Sequence, residues 1–132
     1  MAPIAGTYKN ETSENFEEFM EKLGVGLMLR KLGSKAKPTV ELSEEKGVWT
    51  LKTISTMKTT ELKFKLGEEV DETSLDGREC KTVFTVDNGK LIQTQKSPKG
   101  KDAKFTREFT DTHMTMIAEC DGVTSKRVYK RQ

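Results

Sequence analysis

Residues 79–96 read ECKTVFTVDNGKLIQTQK. Two β-prone runs flank the turn signal DNG, which is the pattern of an antiparallel hairpin. The same alternation of short runs and turns extends outward from it. TVELSEE, VWTLKTIST, TELKFKL and EVDETS precede the hairpin, and AKFTREFTD, HMTMIAEC and VTSKRVYK follow it. EKG, LGEE, LDGR, SPKGK and CDG separate these runs. With GTYKN near the start, the runs make about ten strands. An open, strongly twisted sheet of that size leaves long edges unprotected, and closure removes them. The expected fold is all-β: an antiparallel up-and-down barrel, with residues 1–132 forming one domain.

The exception to the strand pattern is SENFEEFMEKLGVGLMLRKLGSKAKP, residues 13–38. Ser13 or Asn15 can cap a helix in which Phe16, Phe19, Met20 and Leu23 form one apolar stripe. Gly24 and Gly26 break it. LMLRKLGSKAK then reads as a second short helix, ended by Gly33 with Pro38 beyond. Set beside a barrel, the two helices make a lid.

Hydrophobic and charged residues each make up 33% of the chain, which is lean for a closed core. A shell of strands around a wet interior reconciles the two. The 23 basic and 21 acidic residues leave a net charge of +2, which argues against a general nucleic-acid binder. Cys80 and Cys120 stand far apart, with no CxxC or Cys/His pairing. Reduced thiols in a cytoplasmic protein are therefore expected, and no metal or other cofactor is indicated. No apolar run approaches a membrane span, and MAPIAGTYKN lacks the layout of an export signal.

Successive side chains of a strand point to opposite faces. In AKFTREFTD, Phe105, Arg107 and Phe109 share a face, so the more apolar face carries an arginine. Leu91, Gln93 and Gln95 share another face, as do Met114, Met116 and Ala118, while Thr53 and Ser55 alternate with Ile54. Such mixed interiors call for water or a ligand. At the terminus, KRVYKRQ places Arg127 and Tyr129 together, opposite Val128. The segment alone reads most simply as an exposed basic end, because arginine is rarely buried. If Arg107, Arg127 and Tyr129 all turn inward, however, they form an anion site suited to a carboxylate.

The chain resembles the cytosolic fatty-acid-binding proteins of the intracellular lipid-binding family over nearly its whole length. GTYKNETSENFEEFM, LGVG, KPTVEL, STMKTTELKFKLGEEVDE, DNGK followed by LIQTQK, TRE and RVYKR carry the resemblance by their order and spacing. It implies a ten-stranded barrel, or β-clam, with a helix–turn–helix lid and one buried long-chain fatty acid. It also implies that Arg107 in FTREF, with Arg127 and Tyr129 in RVY, holds the ligand carboxylate. Phe16, Met20, Val25, Pro38, Thr53, Ser55, Leu75, Asp76, Arg78, Phe105, Met116 and Ala118 fall where such proteins line the cavity or portal. Met57 takes a portal position where phenylalanine is common, and Tyr8 stands where many members have tryptophan.

Rival functions follow from the same residues. His113 is the single histidine and has no evident serine or cysteine partner, so a catalytic role is poorly supported. The paired acids at 17–18, 44–45 and 68–69 read as solvated charge. A retinoic-acid carrier of the same fold can use a similar anion site, although KLGEEVDE with LDGR favours the fatty-acid branch. A membrane-associated structural protein of this fold is a third reading, disfavoured by the modest charge. The expected protein is a monomer in transient contact with anionic membranes.

Overall fold

The structure, a computed structural model, describes residues 2–56, 58–74 and 77–132. In chain order its elements are β1 Gly6–Glu14, α1 Phe16–Leu23, α2 Leu27–Lys35, β2 Thr39–Glu45, β3 Val48–Ile54 and β4 Thr59–Phe64. Then come β5 Val70–Thr73, β6 Glu79–Asp87, β7 Lys90–Lys96, β8 Ala103–Phe109, β9 His113–Cys120 and β10 Val123–Arg131. All pairings are antiparallel, in the order β4-β3-β2-β1-β10-β9-β8-β7-β6-β5. The first and last strands meet in the middle of the sheet, where β1 pairs with both β2 and β10.

Tight turns set these registers. Asn88 and Gly89 both take positive φ (51° and 75°), as do Asp121 and Gly122 (48° and 85°). Two such residues in succession make the turn whose twist matches flanking strands, and glycine or asparagine supplies it at little steric cost. The DNG hairpin therefore closes with Phe84 opposite Gln93 and Thr82 opposite Gln95.

The ten strands and two helices form the expected lidded barrel, and its closure is nearly complete. Among the described residues no ladder joins β4 to β5. β5 has only four residues, and the turn after β4 bonds past it, Gly67 N–H donating to the Phe84 carbonyl at 2.8 Å.

The lid follows its apolar stripe. Phe19, Met20 and Leu23 bury the inner face of α1, which contacts β9 and β10. Neither expected side-chain cap forms. Asn15 sits at φ 59° and its amide donates to the Thr124 carbonyl at 2.9 Å, while Ser13 Oγ accepts from Arg127. Both candidate caps bridge to β10 instead. α2 also runs through Gly33 to Lys35 rather than ending there. A Cβ at position 33 would lie 3.0 Å from Met20 Sδ, so glycine lets the second helix rest closely on the first.

Candidate functional site

Arg107 on β8 and Arg127 on β10 both pair with Met116 of β9, so the three residues stand in one row across adjacent strands. Side chains in such a row share a face. That face is the interior: Arg107 is 7% exposed, Arg127 5% and Tyr129 2%. The exposed-terminus reading is thereby reversed, because the β9–β10 register turns Arg127 and Tyr129 in and Lys126 and Lys130 out.

Each arginine is held by neutral groups. Arg107 Nη1 donates to Gln93 Oε1 at 3.1 Å, while its Nε is buried without a partner. Arg127 Nε donates to Ser13 Oγ at 2.9 Å and its Nη2 to the Ala36 carbonyl at 3.1 Å. The Phe16 ring lies 4.0 Å from the Arg127 guanidinium, a cation–π contact. Neither arginine forms a salt bridge, and the Tyr129 hydroxyl has no hydrogen bond, among the described residues. Burial pushes the Arg107 pKa below its ordinary value, opposed by Tyr129 and Glu72. A guanidinium stays charged in proteins, so that shift marks a cation short of a counter-charge.

These donors face a cavity of about 530 Å³. Phe16, Phe19, Met20, Val25, Leu51, Phe105, Met114 and Met116 give it an apolar wall, and Thr53, Gln93, Gln95 and Glu72 a polar one. Pro38, Ser55 and Arg78 line it too, near the loops beyond β3 and β5. Arg107, Arg127 and Tyr129 are brought together with all of these. Ala118 shares the inward face and is fully buried, but it forms no part of the cavity wall, being packed in the core instead. Met57, Leu75 and Asp76 lie outside the described residues.

Two participants escape a sequence reading. Ser13 and the Ala36 carbonyl position Arg127 from 114 and 91 residues away, contacts that no local pattern encodes. Glu72, in EVDETS, looks like any solvated acid, yet it accepts bonds from Thr82, Gln93 and Gln95. Only its position two residues after Val70, on the face of that strand shared with an apolar side chain, hints at this.

A helix-lidded barrel around an internal, largely apolar cavity is the architecture of proteins that enclose one small ligand. Residues 5–132 match the lipocalin / cytosolic fatty-acid binding protein family, and the chain belongs to it. It is 45% identical over 132 residues to a fatty acid-binding protein of Lepidoglyphus destructor, covering 99% of each chain. To the adipocyte fatty acid-binding protein of Pygoscelis papua it is 48% identical over 128 residues, 97% of this chain and 96% of that one. The solved structure of a Schistosoma mansoni fatty acid binding protein in complex with arachidonic acid superposes with a TM-score of 0.94. The identity there is 37%, over 97% of this chain and 95% of that one. The family is one of carriers rather than enzymes. Among the described residues no helix is long and apolar enough to cross a membrane.

Proposed function

We propose that this protein is a monomeric cytoplasmic carrier of one long-chain fatty acid, its carboxylate held by Arg107, Arg127 and Tyr129. The observation that carries the reading is two buried guanidiniums without a carboxylate partner among the described residues, opening on a largely apolar cavity. Fatty-acid-binding relatives and a relative solved with arachidonic acid support it. Burial of the tail contributes roughly 0.8 kcal/mol per methylene whatever the head group. Discrimination therefore falls to the head group.

A carboxylate accepts charge-assisted bonds from both arginines and one from the tyrosine, directly or through water near Gln93 and Gln95. An alcohol brings no charge to compensate them. Arg127→Gln should weaken oleate binding about tenfold while leaving oleyl alcohol nearly unchanged. Tyr129→Phe should act in the same direction, more mildly. Paired calorimetric titrations of folded wild-type and variant protein read this directly. Equal weakening of both ligands would make Arg127 a structural residue and remove the anion site. In competition, oleate should displace retinoic acid; the reverse order would assign the barrel to a retinoid.

A further inference from the structure

A second polar centre on the cavity lining is built on Glu72. Its Oε1 accepts three hydrogen bonds: from Thr82 Oγ1 at 2.7 Å, Gln93 Nε2 at 3.0 Å and Gln95 Nε2 at 3.1 Å. All three donors are buried, with Thr82 0%, Gln93 3% and Gln95 2% exposed. Their orientation is fixed by chemistry. Gln93 Oε1 accepts from Arg107 and Gln95 Oε1 accepts from Arg78, both at 3.1 Å. Arginine only donates, so each amide must present its oxygen there and its nitrogen to Glu72. The second oxygen, Oε2, has no hydrogen-bond partner among the described residues, and Glu72 lines the cavity.

We propose that Glu72 Oε2 is a station for a hydrogen-bond donor on the ligand, so that the barrel favours fatty acids bearing a hydroxyl group on the chain. The inference rests on the fatty-acid reading above and adds a ligand subclass to it. A carboxylate oxygen accepts and does not donate. A ketone at the same point would face acceptor against acceptor, and a second carboxylate would face like charge. An amine would bring a further cation close to Arg78, joined to Glu72 through Gln95, and to Arg107, joined to it through Gln93. A hydroxyl is neutral and donates. Because one amide separates Glu72 from Arg107, the hydroxyl belongs in the carboxylate-proximal half of the chain.

The test is displacement of a fluorescent fatty acid by stearate and by hydroxystearates substituted at successive carbons of that half. Each hydroxystearate is paired with the ketostearate of the same position. In wild-type protein the hydroxy isomer should win by about tenfold at one or two neighbouring positions. Glu72→Gln should then erase that preference. Thr82, Gln93 and Gln95 claim the amide oxygen and the NH₂ group replaces Oε2; a ketone and a hydroxyl oxygen can both accept from it, so the two isomers should bind alike. The readout is a ratio within one protein, so a general loss of affinity in the variant cancels. Stearate bound, with hydroxy and keto isomers equal at every position, overturns the station and leaves the carrier reading standing. A variant that keeps the wild-type preference overturns the station in the same way. Should wild-type protein bind none of these acids, the carrier reading falls and the station with it. The wild-type ratios decide the matter even if Glu72→Gln does not fold.

Discussion

The buried side chains on the inner wall divide into those that need a ligand and those that do not. Arg107 keeps a buried Nε without a partner, whereas Tyr8, equally interior, donates its hydroxyl to the Ile4 carbonyl at 2.6 Å. A satisfied polar group stabilises the fold; an unsatisfied cation waits for charge. Cys80 and Cys120 belong to neither class. Both are buried thiols outside any disulfide, 4% and 2% exposed, and burial pushes the Cys120 pKa up. Reaction needs the thiolate and access to it; access is scarce at both residues, and the thiolate is scarce at Cys120. Alkylation of the native protein near neutral pH should be slow, and denatured protein without reductant should titrate two thiols per chain. Rapid native labelling, or no titratable thiol in a monomer, would contradict this. At this scale the sequence is legible wherever a two-residue period exposes a misfit, as Arg107 does between Phe105 and Phe109. It is silent on Glu72 and Ser13, whose partners are set by tertiary register.

Of the two lid helices, α2 is the one that the barrel does not bury. None of its residues is buried, and Leu27, Met28, Leu29 and Leu32 are 60%, 79%, 43% and 50% exposed. Its charges are of two kinds. Arg30 and Lys31 are tied to α1, with Arg30 3.3 Å from Glu21 and Lys31 2.7 Å from Glu17. Lys35 and Lys37, at its end and just beyond, are both exposed and form no salt bridge among the described residues. An apolar ridge flanked by such lysines suits the surface of an anionic bilayer, where each cation contributes about 1 kcal/mol. Ligand transfer to anionic vesicles should therefore slow with salt and with Lys35→Glu or Lys37→Glu. Lys31→Glu should slow it too, and should also loosen the lid by breaking the Glu17 pair. A rate independent of vesicle concentration, charge and salt would mean release through water instead. Glycine spacing marks the helix boundaries in the sequence, and it misleads at Gly33. A glycine that makes room for Met20 looks the same as one that ends a helix.

For the whole molecule, the decisive feature is the missing β4–β5 ladder. Alternation announces strands, and turns announce hairpins, but nothing in either says which neighbours fail to bond. Strand count and the order of pairing are therefore legible, while the gap stays hidden. Beyond the Gly67–Phe84 backbone hydrogen bond, side chains must hold the two ends of the sheet together. Phe64 of β4 stacks on Phe84 of β6 with ring centroids 3.7 Å apart, and Trp49 of β3 stacks behind Phe64 at 6.4 Å. This aromatic column reaches across the place where β5 would have joined β4, beside the Gly67–Phe84 hydrogen bond. Phe64 is 2% exposed and Phe84 fully buried, so the column is core rather than cavity wall. Removing a buried phenylalanine ring commonly costs about 3–5 kcal/mol, less where the site can relax or admit water. With an open interior nearby, Phe64→Ala should lower stability by about 3 kcal/mol in urea denaturation. The loss should also be uneven. Amides of β4 and β5 should exchange faster, because their sheet ends are no longer clamped, while the β1–β10 seam keeps its protection apart from the global change. A variant that loses under about 1 kcal/mol, or loosens every strand alike, would show that the ends are held by the ladders on either side and not by the rings.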